Sequence, residues 1–297
     1  MSGRAVPLGD PGPWSSGAVT DRATCVLADN PGPMTLDGTN TWVLREPGSH
    51  TAVVIDPGPD DAAHLAAVVD AVDGARVARI LLTHGHPDHS DGARSFADRF
   101  GAPVAALDPM HRLGDEGVVG GDVVEAGGLE IAVVATPGHT GDSLSFHVVA
   151  DGALLTGDTV LGRGSTVVAY PDGLLRDYLD SLVRLRALAE STAASYVLPG
   201  HGPALVDPVQ VVTAYLSHRQ GRLDQVRAAV AELGGFGSAR ATGLEVTEGV
   251  DWWHQADRAE PDLADLVVES VYADVPRSVW PAARLSVLAQ LTYLRDE

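Results

Sequence analysis

Val77-Ala78-Arg79-Ile80-Leu81-Leu82 runs directly into Thr83-His84-Gly85-His86-Pro87-Asp88-His89, and this junction decides how the chain is built. The first run is apolar and branched, has the length of a buried strand, and stops where Gly and Pro begin. Four ligand-type side chains then fall within six positions, from His84 to His89. Neutral imidazoles and carboxylates bind zinc-like cations. A loop can curl such groups round an ion, whereas a regular helix or strand cannot present His at i and i+2 with Asp and His at i+4 and i+5. A lone histidine is ordinarily a surface or hydrogen-bonded core residue, but a cluster this dense points to metal. The helical H-E-x-x-H pattern of zinc proteases is absent.

The same grammar recurs three times. Leu129–Ala135 leads into Thr136-Pro137-Gly138-His139, Ala153-Leu154-Leu155 into Thr156-Gly157-Asp158, and Tyr196-Val197-Leu198 into Pro199-Gly200-His201. Each ligand-type residue follows a strand, with Gly or Pro beside it to let the backbone turn sharply. Strand ends on one sheet edge converge, so a rigid scaffold can aim all of these groups at one point. His147 falls on the polar side of the alternation Leu144, Phe146, Val148. With His50, His64, His111 and His254 it is expected to be a surface or hydrogen-bonding residue.

These residues resemble the metallo-β-lactamase superfamily, whose H-x-H-x-D-H signature is followed by a distant His, an Asp after a strand and a final His. The matching positions are His84, His86, Asp88, His89, His139, Asp158 and His201. The resemblance implies two divalent metal ions, taken as Zn2+. His84, His86 and His139 would hold one, Asp88, His89 and His201 the other, and Asp158 would bridge them. It also implies a hydroxide nucleophile between the ions, Asp88 and Asp158 as catalytic carboxylates, and an α/β (α+β) fold in which two mixed sheets form an αββα sandwich. Asp158 argues against true β-lactamases of this fold, which lack it. Flavin-linked di-iron oxygen reductases carry Glu where His86 stands, and the long-insert nucleases need more chain between early and late ligands. Glyoxalase II shares all seven ligands but recognises glutathione partly through lysines; here all 20 basic residues are Arg.

A narrower similarity spans most of the chain. Asn30-Pro31-Gly32-Pro33-Met34-Thr35-Leu36-Asp37-Gly38-Thr39-Asn40-Thr41 is similar to a segment of the β-lactamase-like protein 2 group. So are Gly162–Val167, Pro199–Pro203 and Tyr215–Arg222. That group includes a single-strand endoribonuclease and fungal thioesterases that release polyketides from acyl carriers. The expectation is a metal-dependent hydrolase acting on a small-molecule ester or thioester. The alternatives are cleavage of single-stranded RNA and a mononuclear-iron persulfide dioxygenase. Asn40 and Tyr170 are candidate oxyanion or substrate contacts, with turn and cap roles as the alternative. Arg163, Arg219 and Arg222 could form a basic patch, and His218 stands in the family-like Tyr215-x-x-His218-Arg219 stretch.

At 297 residues the chain exceeds one ordinary domain. We expect an extended leader over residues 1–20, a catalytic domain over 21–235, and a linker with a C-terminal helical module over 236–297. Within the catalytic domain, strands are expected at Thr24 to Leu27, Thr41 to Leu44, Thr51 to Ile55 and near 129, 143 and 153. Helices are expected at Asp61 to Val72, from about Asp172 to Leu188, and at Asp207 to Leu233. In the family the C-terminal region resembles a winged helix; here two helical runs, Asp262 to Tyr272 and Ser278 to Leu294, come without strands for a wing. From Asp251 to Glu297 there are nine acidic residues and four arginines, 9 − 4 giving net −5, which argues against DNA. Trp252, Trp253 and Trp280 are read as packing residues.

The whole chain carries −20, and two divalent ions would leave −20 + 4 = −16, so its far field disfavours polyanions. No apolar run approaches the roughly 18 residues of a membrane span, and the start carries no signal-like segment. The single Cys25 allows no internal disulfide, which leads to the expectation of a cytoplasmic setting. Nothing in the sequence speaks to oligomeric state.

Overall fold

A computed structural model describes residues 13–114, 116–168, 170–236 and 261–297. Two six-stranded sheets organise it. The first carries, in spatial order, β1 (Gly17–Ala18), β2 (Ala23–Leu27), β3 (Asn40–Arg45), β4 (Thr51–Ile55), β5 (Arg76–Leu81) and β6 (Val104–Ala105). The second carries β7 (Val123–Ala126), β8 (Leu129–Ala135), β9 (Leu144–Val148), β10 (Ala153–Gly157), β11 (Tyr196–Pro199) and β12 (Leu205–Val206). Each begins as an antiparallel meander and turns parallel at β4–β5 or β10–β11, so the halves repeat in topology without an evident sequence repeat.

Parallel neighbours need a crossover, and helices supply it. Helix α1 (Ala62–Val72) connects β4 to β5; the short turn α2 (Pro87–Ser90) and α3 (Ala93–Phe100) connect β5 to β6. Helix α4 (Leu175–Thr192) connects β10 to β11, and α5 (Pro208–Glu232) follows β12. Local chemistry fixes several starts. The Asp61 carboxylate accepts from the His64 N–H at α1, and at α5 Asp207 accepts from Gln210 N–H with Pro208 in the first turn.

Period-2 alternation sorts the strands between cores. Trp42, Leu44, Ile55 and Leu81 of the first sheet meet Ile131, Phe146, Leu155 and Leu198 of the second in the central layer. Val43, Val54 and Ile80 point the other way, against Val68 of α1 and Phe96 of α3. The outer face of the second sheet packs through Val197 on Tyr178, Leu182 and Leu185 of α4 and Tyr215 of α5. The result is the helix–sheet–sheet–helix layering expected of a mixed α/β sandwich.

The C-terminal helices α6 (Leu263–Val271) and α7 (Trp280–Asp296) extend this core. Val267 and Leu291 pack on Val226 and Val230 near the end of α5. Helix α6 opens with a reciprocal capping box between Asp262 and Asp265, and Arg284 of α7 pairs with both carboxylates. Trp280 packs into the same cluster, its indole N–H donating to the Val275 carbonyl (3.1 Å). Trp252, Trp253 and His254 lie outside the described residues. No described helix is long and apolar enough to cross a membrane.

Several expectations change. The described part of the leader is docked: β1 pairs with β2, and the Ser16 hydroxyl accepts from Leu27 N–H (2.8 Å). Helix α4 begins three residues later than expected and runs on to Thr192. The ligand stretch is not all loop, because Pro87 starts one helical turn that carries Asp88 and His89. His147 is buried, at 3% exposure, because α4 and α5 cover the face of the second sheet that alternation alone leaves polar.

Candidate metal centre

Every ligand-type residue picked out in the sequence sits where a strand gives way to a turn on one edge of the sandwich. His84, His86, Asp88 and His89 follow β5, His139 follows β8, Asp158 follows β10, and His201 follows β11. Backbone geometry makes the convergence possible. At Gly200 a Cβ would lie 2.6 Å from Asp158 Oδ1 and 2.7 Å from His89 Cε1. Gly138, at φ +138°, would put one 2.3 Å from the Tyr178 backbone.

The side chains form two triads. His86 Nδ1 lies 3.1 Å from His84 Nε2 and 3.0 Å from His139 Nε2. His201 Nε2 lies 3.1 Å from both His89 Nε2 and Asp88 Oδ2. Asp158 stands between them, with Oδ2 3.7 Å from His139 Nε2 and 3.4 Å from His201 Nε2, and Oδ1 3.4 Å from His89 Nε2. Within each triad the donor atoms lie within 4.8 Å of one another.

The far side of each ring fixes its tautomer. His139 Nδ1–H donates to the Val167 carbonyl (2.6 Å), and His201 Nδ1–H to that of Gly38 (3.1 Å). His89 Nδ1–H donates to Asp56 (2.9 Å). Thr83 spends its hydroxyl proton on Asp56, so its oxygen accepts from His84 Nδ1–H (3.0 Å). The Nε2 atoms of these four rings therefore all turn inward, and Asp158 Oδ1 is buried without a hydrogen-bond partner. Imidazole nitrogens converging in a buried space, beside an orphaned carboxylate oxygen, suit cations, so the donor set fits divalent metal.

Electrostatics divides the centre. Burial lowers His84 well below the usual histidine range, lowers His86, and lowers His139 to about 4, so the first triad is neutral imidazole. Burial also opposes charge on His89 and His201, but Asp158 overrides it; His89 is raised well above its ordinary value and His201 to about 9. Burial works against the carboxylates too, yet His89 and His201 hold Asp88 down to about 2 and Asp158 well below the usual range.

Asp56 was not singled out from the sequence. It is 1% exposed, and its carboxylate accepts from the Thr83 N–H (2.7 Å), the Thr83 hydroxyl (2.7 Å) and His89. Its signal was present, since Ile55-Asp56-Pro57-Gly58 ends β4 in the same strand-then-Pro-Gly manner as the ligand loops. His111, expected to be a surface or hydrogen-bonding residue, packs its ring on the ligand loop, 2.3 Å from where a Cβ on Gly85 would stand.

A cavity of about 300 Å³ opens from His139 and Asp158, between the loop at 161–167 and helices α5 and α7. Arg163, His218 and Arg219 line it, together with Arg222. Arg163 is ion-paired to Asp37, and Arg219 is buried, bonded to the Thr166 carbonyl and stacked on Tyr178. Two expected contacts fall elsewhere. Asn40 is fully buried; its amide donates to the Pro199 and Gly202 carbonyls (3.0 and 2.8 Å), and its oxygen accepts from Trp14 (2.9 Å). With both ends of its amide engaged it braces the His201 loop. Tyr170 packs between the α4–α5 and α5–α6–α7 clusters, away from the cavity wall.

The family model described as the Metallo-beta-lactamase superfamily matches residues 34–201, and that of the Beta-lactamase associated winged helix domain matches residues 264–297. A Beta-lactamase-like protein 2 homolog from Caenorhabditis elegans is 32% identical over 242 residues, covering 78% of this chain and 77% of its own length. An Atrochrysone carboxyl ACP thioesterase from Aspergillus fumigatus is 31% identical over 270 residues, covering 84% of this chain and 81% of its own. Among solved structures, a Beta-lactamase domain protein from Burkholderia ambifaria superposes with a TM-score of 0.70 at 25% identity, covering 97% of this chain and 91% of that one.

Proposed function

This chain belongs to the metallo-β-lactamase superfamily and is a metal-dependent hydrolase; from that premise we propose that it is a thioesterase using two zinc ions on small acyl thioesters. The observation that carries the reading is the pair of donor triads joined through Asp158, opening on a cavity of small-molecule size. His84, His86 and His139 would hold one ion, Asp88, His89 and His201 the other, with Asp158 shared. Bound there, the ions would supply an activated water at neutral pH and polarise an acyl carbonyl.

The protein's own part is positional. The Val167 carbonyl and Asp56 lock the rings of His139 and His89, so the donors need no reorganisation when charge develops. Asp88, with its side chain 30% exposed, is the carboxylate of the centre with most solvent access, and would orient the attacking water and pass its proton outward. Size favours this substrate class over a polynucleotide, and the far field of a −20 chain does so too.

The test is a side-by-side assay of zinc-loaded protein on acyl thioesters and on single-stranded RNA. Thiol release without RNA cleavage is expected. RNA cleavage abolished by His84→Ala, with no thioesterase activity, would overturn the proposal.

A further inference from the structure

The cavity wall differs in charge from the rest of the molecule. Arg163, His218, Arg219 and Arg222 line it, and among the described residues its only carboxylate is Asp158, which belongs to the candidate metal centre. This occurs in a chain of net charge −20. Arg163 is balanced by Asp37, but among the described residues neither Arg219 nor Arg222 has a carboxylate partner. Arg219 is 3% exposed, and its Nε is buried without a hydrogen-bond partner. Arg222, one turn further along α5, donates to the Val271 carbonyl and to Gln225 (3.0 Å each) and stacks on Tyr272 at 4.7 Å. Sheltered charge is normally paired, and guanidinium groups favour planar oxyanions. Val275, Val279 and Ala282, which line the same cavity, can accept only hydrocarbon.

Resting on the thioesterase reading of this same centre, we propose that the cavity selects thioesters with an anionic group set back from the scissile bond by an apolar spacer. Arg222, with Arg219 behind it, would receive that group. Two sources share the chemistry: a carboxylate ending the acyl chain, or the phosphate of the thiol carrier.

The test compares three substrates of zinc-loaded protein: adipyl-N-acetylcysteamine, hexanoyl-phosphopantetheine and the neutral hexanoyl-N-acetylcysteamine. At least one anionic substrate should exceed the neutral one in kcat/KM by about tenfold, and which one does so identifies the source. Arg222→Gln should bring the ratio near one, mainly through KM, while Arg222→Lys should retain part of the preference; zinc content and melting temperature verify that both variants fold. Equal turnover of all three by the unmodified protein, or a preference that survives Arg222→Gln, overturns the proposal. Calorimetric binding of adipate and phosphopantetheine, against neutral hexanamide, is read in parallel. If no thioester is hydrolysed, the thioesterase reading fails, yet anion binding that Arg222→Gln removes still supports the pocket. Absent anion binding, or binding indifferent to Arg222, rejects it.

Discussion

Asp56 fixes two things with one carboxylate, the strand end that launches the ligand loop and the ring orientation of His89. Outer partners of this kind commonly contribute about 10–100-fold to metal affinity. Asp56→Ala should lower zinc affinity by that order in a chelator-competition titration; unchanged affinity would mean that His89 is held by other contacts. Protons report on the same side of the centre. In the metal-free protein Asp158 outweighs burial to hold His201 at about 9, so at neutral pH the ring is protonated and an arriving ion must displace that proton. Zinc uptake at pH 7 should therefore release protons, and apparent affinity should rise with pH toward 9. Calorimetry in buffers of different ionisation enthalpy reads this directly, and buffer-independent heats would contradict it. His86→Ala should empty the first triad with little change in folding, whereas His147→Ala should lower the melting temperature and leave metal content intact. Equal metal loss would undo this division of the histidines. The clustering of the His and Asp residues could be read from sequence because such residues packed among Gly and Pro have few other uses. His147 and Asn40 could not. Alternation in β9 distinguishes two faces without saying that both are covered, and the carbonyl partners of Asn40 lie some 160 positions away.

At the scale of elements, sharp strand-to-turn transitions carry the site. Gly200 leaves no room for a side chain between Asp158 and His89, so Gly200→Ala must push one of them aside. The expected outcome is loss of bound metal and activity with the circular dichroism spectrum preserved; a fully loaded, active variant would show that the loop relaxes freely. The longer elements were foreseen within a few residues. They bury a regular stripe or alternate cleanly, and Asp61 and Asp207 mark two helix starts. The two-residue strands β6 and β12 are too short to show any period, and α3 was hidden behind the ligand motif. The single turn at Pro87 was masked for a similar reason, since Pro reads equally as a loop signal or as a first helical residue.

At the scale of the molecule, net charge and local charge act over different ranges. The −20 of the chain governs approach beyond a Debye length of roughly 8–10 Å and disfavours long polyanions. Within the cavity the arginines of α5 stand close enough to matter to a small ligand. The C-terminal segment joins the two scales, because Val275, Val279 and Ala282 line the same cavity as those arginines while α7 packs on the end of α5. The sequence showed an acidic C-terminal segment but not that its helices would complete a cavity reaching the metal centre, since that depends on long-range packing. The central claim is that the two donor triads are used together in hydrolysis. It is tested most directly by adding zinc stepwise to metal-free protein while following hydrolysis of an acyl thioester. Activity should climb to a plateau at two equivalents per chain. Saturation at one equivalent, or oxygen-consuming turnover supported by one iron in place of thioester cleavage, would contradict it.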